Sequence, residues 1–160
     1  MPLEWRDAMG IGHAVIDADH QHLIAIINHF EASPDLAHAE ETARALLEHA
    51  RNHFHREEIL QKLAGYPLCT LHRIAHEELL DKLKTLIRTF FVDQRSRDPG
   101  VVIEVMRDLI RDWFIGHVIE MDMKMKPFIA HMPKSLRDGS LESLRDGSLE
   151  PEVLENYSAA

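Results

Sequence analysis

The sequence predicts an all-α protein: an up-down-up-down antiparallel four-helix bundle with an irregular N-terminal arm and a mobile C-terminal tail. Apolar residues recur at helical spacing in four stretches, and no stretch shows the strict alternation of a strand. Short connections join the stretches, which makes consecutive helices antiparallel neighbours. We expect the arm at residues 1–16, the bundle at 17–132 and the tail at 133–160.

The first two helices have recognisable ends. Asp17 is a good N-cap residue for the first helix, and Ser33 followed by Pro34 predicts the start of the second. Gly65 predicts the end of the second helix at Ala64, because glycine is common just past a helix C-terminus. The apolar stripe of the first helix consists of Leu23, Ile24, Ile27 and Phe30.

The third and fourth helices follow the same rules. We expect the third helix at residues 71–91, ending before the polar segment DQRSRDPG. Asp98 and Pro99 repeat the cap-then-proline signal, so the fourth helix runs from there to about Ala130. The octapeptide SLRDGSLE then occurs twice, at 135–142 and 143–150. Its polar, glycine-containing composition favours a mobile terminus, with a docking peptide as the alternative.

Composition and charge exclude several classes of partner. The formal net charge is −9, whereas binding to nucleic-acid phosphates or to an anionic membrane surface needs clustered cations. Cys69 is the single cysteine, which excludes an internal disulfide and a cysteine-based metal site. No apolar run approaches the roughly 18 residues of a membrane span, and the N-terminus lacks the pattern of a secretion signal. We therefore expect a cytoplasmic monomer that binds neither nucleic acid nor membrane.

Twelve histidines are the unusual feature of the composition. His53 and Glu57 are four residues apart, as are His72 and His76, so each pair lies on one face of its helix. The other candidate ligands are His20 on the first helix, and His117 and Asp122 on the fourth. Side chains that point inward from facing helices build the metal sites of four-helix bundles, and imidazole suits iron, zinc or copper.

A single histidine on an amphipathic helix is more often partly exposed than a ligand, and one histidine pair is weak support for a site. Seven candidates on four helices are a stronger signal, because burying so many unsatisfied polar groups would cost on the order of 1–3 kcal/mol each. Core-type residues flank them: Leu23, Ile24, Ile27, Phe54, Leu60, Ile74, Leu79, Leu80, Phe114 and Val118. The sequence therefore predicts a metal site inside the bundle.

The segments DADHQHL, HFHREE, HRIAH and WFIGHVIEMD together resemble the hemerythrin family, over about residues 5–127. The resemblance implies reversible O₂ binding at a non-haem centre of two Fe ions with an oxo or hydroxo bridge. It assigns His72, His76 and His117 to one iron, His20 and His53 to the other, and Glu57 and Asp122 to both as bridging carboxylates. It also implies an O₂ pocket, whose matching positions are Leu23, Phe54, Gln61, Trp113 and Val118.

Two positions depart from the family pattern. Gln61 stands where the family commonly has methionine, one helical turn past Glu57. Our hypothesis is that its amide lies near bound O₂ or anchors a water there, which would speed autoxidation; the alternative is that it turns to solvent. His49 stands where an aromatic residue is common, one turn before His53. His49 either contacts a metal ligand without binding the metal itself or, as the commoner case, packs among other side chains or faces water.

The spacing of His117 and Asp122 does not suit a regular helix, because five residues correspond to a rotation of about 140° from a common line. Either the two side chains straddle the metal site or the helix widens locally. We predict a distortion within residues 116–122, of the π type that recurs at functional sites. Other polar residues are assigned to ordinary roles. Glu58 is expected to be a solvated partner of a nearby cation, and Cys69 a small apolar filler. The histidines assigned to the surface are His13, His22, His29, His38, His55 and His131.

The preferred function is O₂ carriage, storage or delivery, with an O₂-consuming enzyme as a possible client. The first alternative keeps the same centre and makes it a di-iron peroxidase, an O₂- or NO-reducing enzyme, or an O₂ sensor. A second alternative is iron storage of the ferritin type. It is disfavoured because such sites use several glutamates and Glu-x-x-His pairs, which this sequence lacks.

Overall fold

The computed structural model describes residues 2–138, which form a bundle of helices with no strand in that range. The α-helices are α1 (Ala14–Ala32), α2 (Leu36–Ala64), α3 (Cys69–Ile87), α4 (Pro99–Arg111), α5 (Lys126–Ala130) and α6 (Lys134–Arg137). The predicted all-α bundle is confirmed. The second SLRDGSLE copy, the end of the first and the predicted mobile tail beyond residue 138 lie outside the described residues.

The first helix begins at Ala14 rather than at Asp17, so the predicted N-cap was wrong. Asp17 lies in the first turn, where its carboxylate accepts hydrogen bonds from the backbone N–H of Ile11 (2.7 Å) and Gly12 (3.2 Å). The carboxylate therefore holds the preceding segment against the helix. Ile11 is 1% exposed, so the end of the expected arm is part of the core.

Asp35, not Ser33, is the N-cap of α2. Its Oδ1 accepts a hydrogen bond from the backbone N–H of His38 at 2.9 Å. The predicted cap was wrong because Pro34 precedes the true cap instead of occupying the first helical position. At the other end, Gly65 has a φ of 66° in the left-handed region, which confirms the predicted stop.

The fourth long helical stretch begins as predicted and then changes its hydrogen bonding. Asp98 caps α4 by accepting from the backbone N–H of Gly100 at 2.9 Å, with Pro99 in the first turn. After α4 come a π-helical segment at Asp112–Ile119, a 3-10 turn at Asp122–Met125, and α5. A second π segment, Arg88–Val92, extends α3.

Two hydrophobic clusters hold the helices together. The larger contains residues of α1 to α4 and of the π segment of the fourth stretch, including Phe30, Leu46 and Met106 at 0% exposure. The smaller closes the end of the bundle where α2 ends, and it joins Leu60 to Leu136 of α6. Each such side chain removed from water stabilises the fold by about 1.5–3 kcal/mol. Through these clusters α2 packs against α1, α3 and α4. None of the described helices has the length and apolarity to cross a membrane.

Candidate metal centre

The seven candidate ligands meet in the interior of the bundle, and none is more than 2% exposed. They come from α1 (His20), α2 (His53 and Glu57), α3 (His72 and His76), the π segment of the fourth stretch (His117) and the 3-10 turn after it (Asp122). They form two groups, in each of which the potential ligand atoms all lie within 4.8 Å of one another. The packing of the helices therefore brings together side chains from all four long helical stretches.

The three-histidine group consists of Glu57, His72, His76 and His117. Oε2 of Glu57 lies 3.0 Å from Nε2 of His76 and 3.3 Å from Nε2 of His72. The Nε2 atoms of His72 and His117 are 3.1 Å apart. Neighbouring ligands held about 2.1 Å from a common ion lie about 3 Å from each other, so this spacing fits one cation.

The two-histidine group consists of His20, His53, Glu57 and Asp122, and it shares Glu57 with the first group. Nε2 of His53 lies 4.0 Å from Oε2 of Glu57. Nε2 of His20 lies 3.1 Å from Oδ2 of Asp122. This group therefore has the same kinds of ligand as the first, with one imidazole fewer.

The Asp122 carboxylate faces both groups. Its Oδ2 contacts His20 of the two-histidine group, as given above. Its Oδ1 lies 3.0 Å from Nε2 of His72 and 3.2 Å from Nε2 of His117, both in the three-histidine group. One oxygen is thus directed to each side, which is the orientation of a carboxylate that can bridge two cations.

The charges within the site favour a cation. Burial alone would raise the pKa of Glu57, but hydrogen bonds with His72 and His76 outweigh it and hold that pKa well below its usual range. Burial alone would lower the pKa of His72, but Asp122 and Glu57 raise it to about 9. Burial lowers the pKa of His117 to about 4. A metal ion in the three-histidine group would therefore displace a proton from His72 and take over its charge.

Several buried atoms of the two groups have no hydrogen-bond partner among the described residues: Nε2 of His20 and His53, Oε1 of Glu57 and both carboxylate oxygens of Asp122. The 3.1 Å contact between His20 and Asp122 is close but lacks hydrogen-bond geometry. Buried lone pairs are costly unless a hydrogen or a metal ion meets them. The residues present therefore fit a metal, and their imidazole and carboxylate chemistry suits iron.

Two further carboxylates hold the ligand imidazoles. Glu58 Oε1 lies 2.9 Å from Nδ1 of His76, and Asp19 Oδ2 lies 3.2 Å from Nδ1 of His53. A carboxylate accepts only, so each Nδ1 carries the proton and Nε2 is left to bind metal. Arg56 donates two hydrogen bonds to Asp19, at 2.9 and 2.8 Å.

These contacts correct one prediction and reveal one residue that sequence reasoning missed. Glu58 is not a solvated partner of a surface cation, because it reaches across to α3. Burial alone would raise the pKa of Asp19, but the hydrogen bonds from His53 and Arg56 lower it to about 2. The only sequence signal for Asp19 is its position directly before His20, and nothing in the sequence says which helix it faces.

The predicted distortion of the fourth helical stretch is confirmed. Within residues 116–122, the backbone N–H of Glu120 donates to the carbonyl of Ile115 at 3.1 Å, five residues back. A tighter 3-10 turn follows. The wide turn and the tight turn together bring Asp122 beside His117, which a regular α-helix with that spacing would not do.

The four apolar residues predicted to line an O₂ pocket are all buried in the larger cluster: Leu23, Phe54, Trp113 and Val118. The Phe54 ring stacks on His76, with centroids 3.8 Å apart and planes 7° apart. Its centroid also lies 5.6 Å from that of Trp113 and 5.7 Å from that of His117. An aromatic wall therefore adjoins the three-histidine group, while its role in an O₂ pocket stays a prediction.

The two departures from the family pattern are both buried. Gln61 is 0% exposed, so the solvent-facing alternative was wrong, and neither amide atom has a hydrogen-bond partner among the described residues. His49 is 6% exposed and stacks on His53, with centroids 5.6 Å apart and planes 10° apart. Burial and the neighbouring His53 lower the pKa of His49 to about 3. His49 therefore packs as a neutral ring against a candidate ligand.

Two exposure predictions were wrong. His13, assigned to the surface, is 0% exposed, because it precedes α1 at the closed end of the bundle beside the backbone of Leu136. Ile74, assigned to the core, is 42% exposed, because it lies on the outer face of α3. The other five histidines assigned to the surface are at least partly exposed. Cys69 is partly buried, and its thiol donates to the Tyr66 carbonyl.

Comparison with known proteins agrees with the geometry. Residues 12–129 match the family described as Hemerythrin HHE cation binding domain. A Bacteriohemerythrin of Stenotrophomonas maltophilia is 29% identical over 119 residues, covering 72% of this chain and 74% of that protein. A Bacteriohemerythrin of Pseudomonas aeruginosa is 28% identical over 142 residues, covering 86% and 89%. A Hemerythrin-like protein of Naegleria gruberi is 25% identical over 125 residues, covering 78% and 92%. The chain therefore belongs to the hemerythrin family, which implies a non-haem iron protein whose buried histidines and carboxylates can hold the metal.

Proposed function

We propose that this protein binds O₂ reversibly at a centre of two non-haem irons, for O₂ carriage, storage or delivery. The observation that carries the proposal is the Asp122 carboxylate, which directs one oxygen to His20 and the other to His72 and His117. Glu57 also belongs to both groups. Two shared carboxylates between two sets of imidazoles favour a pair of ions over a single one.

The proposed ligands are His72, His76 and His117 for one iron, His20 and His53 for the other, and Glu57 and Asp122 for both. The second iron then has one protein ligand fewer. A metal with an incomplete set of protein ligands can take a small molecule, whereas a closed site is structural. Two ferrous ions bound by these residues would provide reversible two-electron chemistry toward O₂.

The surrounding residues have separate tasks in this proposal. Phe54 and Trp113 keep water from the site, because they are 3% and 2% exposed and their rings are in contact. Glu58 and Asp19 hold the rings of His76 and His53 so that Nε2 points inward. The chain thus supplies a dry, pre-oriented site, which suits repeated binding and release of an uncharged gas.

The test is anaerobic addition of ferrous iron to the full chain, followed by cycles of O₂ and argon. We expect about two irons to remain per chain after desalting, in keeping with the two groups. We also expect a visible absorption band that forms with O₂ and disappears under argon. Asp122→Asn should lower the retained iron and abolish the band, whereas Asp112→Asn, at an exposed position on the same helical stretch, should change neither.

Other outcomes would assign a different function. Retention of a single iron would contradict the two-ion proposal. A band that never reverses, together with steady consumption of peroxide or nitric oxide when a reductant is present, would favour an enzyme on the same centre. Reversible cycling over many rounds without a reductant would support O₂ binding.

A further inference from the structure

We propose that the turn between α1 and α2 carries a second metal site, on the surface and separate from the buried centre. Its ligands are His29, His38 and Glu41, and its occupant is one divalent transition cation such as Zn²⁺ or Cu²⁺. The potential ligand atoms of these three residues all lie within 4.8 Å of one another. We call these three residues the turn cluster.

The local structure explains how the turn cluster forms. His29 lies in the last turn of α1, and His38 and Glu41 are three residues apart at the start of α2. Residues at that spacing share a helix face. The short turn folds α2 back along α1, so the rings of His29 and His38 meet edge to face with centroids 5.7 Å apart.

An independent contact prepares His38 to bind a cation. Nδ1 of His38 lies 2.8 Å from Oδ2 of Asp35, the residue that also caps α2 through its other oxygen. The carboxylate fixes the proton on Nδ1, so Nε2 keeps its lone pair for a metal. The same arrangement of carboxylate and imidazole holds His76 in the buried centre, through Glu58.

The donor set determines the kind of cation. Two imidazoles and one carboxylate suit Zn²⁺, Cu²⁺ or Ni²⁺, whereas Mg²⁺ and Ca²⁺ require oxygen ligands throughout. The His38 side chain is 33% exposed, so solvent can complete the coordination. Asp35 and Glu41 offset the charge of the cation. Binding would tie the last turn of α1 to the first turns of α2.

The turn cluster is distant from the buried centre along α2. Fifteen residues separate His38 from His53, which corresponds to about 22 Å of helix. The two sites should therefore fill independently, and failure of this proposal would leave the proposed O₂ function untouched.

Calorimetric titration of the iron-loaded full chain with ZnCl₂, with iron measured before and after, tests the proposal. We expect one equivalent of Zn²⁺ to bind without release of iron. His29→Gln and His38→Gln should each weaken that binding by about tenfold or more. His131→Gln is the matched control. His131 is exposed and lies at the end of the bundle where α2 ends, beside the smaller hydrophobic cluster that contains Leu60 and Met132.

Two further variants separate ligand from support. Glu41→Gln should weaken Zn²⁺ binding as the histidine variants do. Asp35→Asn should weaken it less and leave the helix cap in place, because asparagine also caps helices. The proposal is overturned if the wild-type chain takes up no Zn²⁺ in the micromolar range. It is equally overturned if His29→Gln and His38→Gln take up Zn²⁺ as tightly as the wild-type chain does, or if each Zn²⁺ bound releases iron.

Discussion

Replacing Gln61 with methionine should stabilise the protein. Gln61 is 0% exposed, and neither Oε1 nor Nε2 has a hydrogen-bond partner among the described residues. Each buried polar group without a partner costs about 1–3 kcal/mol. Methionine has a similar length and volume, and a volume-conserving exchange in a core costs less than about 1.5 kcal/mol.

The magnitude follows from these terms. Removing two unpaired polar groups gains about 2–6 kcal/mol, and repacking around the methionine side chain costs up to about 1.5 kcal/mol of that gain. With the full repacking penalty, we therefore expect the free energy of unfolding to rise by about 0.5–4.5 kcal/mol in Gln61→Met. For a chain of this size each kcal/mol raises Tm by about 2–4 °C.

Urea unfolding of the iron-free and iron-loaded proteins measures this change. Gln21→Met is the matched control, because Gln21 is exposed on α1 and its replacement should alter stability by less than about 0.5 kcal/mol. An unchanged or lower free energy of unfolding in Gln61→Met would falsify the reasoning. It would mean that the buried amide has a partner that stabilises it.

The same variant bears on O₂ binding. An amide near the bound molecule can donate a hydrogen bond or anchor a water, and either would help O₂ depart in reduced form and leave the irons oxidised. The wild-type protein should therefore autoxidise faster than Gln61→Met, as followed by loss of the O₂-dependent absorption. Equal rates in the two proteins would remove Gln61 from this step.

Three further predictions concern iron retention, pH dependence and the hydrophobic core. Glu58→Gln and Asp19→Asn should each weaken iron retention by about 10–100-fold in competition with a chelator, because an amide lacks the negative charge with which the carboxylate orients the imidazole and raises its basicity; unchanged retention would contradict that role. In the iron-free protein His49 has a pKa of about 3 against 6.5 when unfolded, so the unfolded chain binds the extra proton and stability falls as the pH drops below 6.5. This loss of stability amounts to about 2 kcal/mol by pH 5. In His49→Tyr the free energy of unfolding, measured by urea unfolding at several pH values, should decline less steeply as the pH falls; an equal slope would show that His49 is not the cause. Leu46→Ala should lower the free energy of unfolding by about 2–5 kcal/mol, because Leu46 is 0% exposed in the larger cluster; a loss below 1 kcal/mol would mean that the core closes around the gap.

Features that depend on neighbours along the chain could be predicted from the sequence. Gly65 marks the end of α2 and Asp98 the start of α4, because helix ends are satisfied by residues within one turn. The five-residue spacing of His117 and Asp122 predicted the π distortion, because a regular helix does not place both side chains on one face. The cap of α2 was predicted at Ser33 but is Asp35, two residues later. Both residue types are good caps, and only the turn geometry chooses between them.

By itself, the sequence determined an all-α chain with histidines and carboxylates at helical spacing, because spacing along one helix decides which side chains share a face. Only the tertiary structure decided what stands opposite each face. It placed Asp19 against His53, buried the Gln61 amide, and brought His29 of α1 beside His38 of α2. The physical reason is that such contacts join residues from separate helices, and the packing of those helices sets the distance and the burial of each pair.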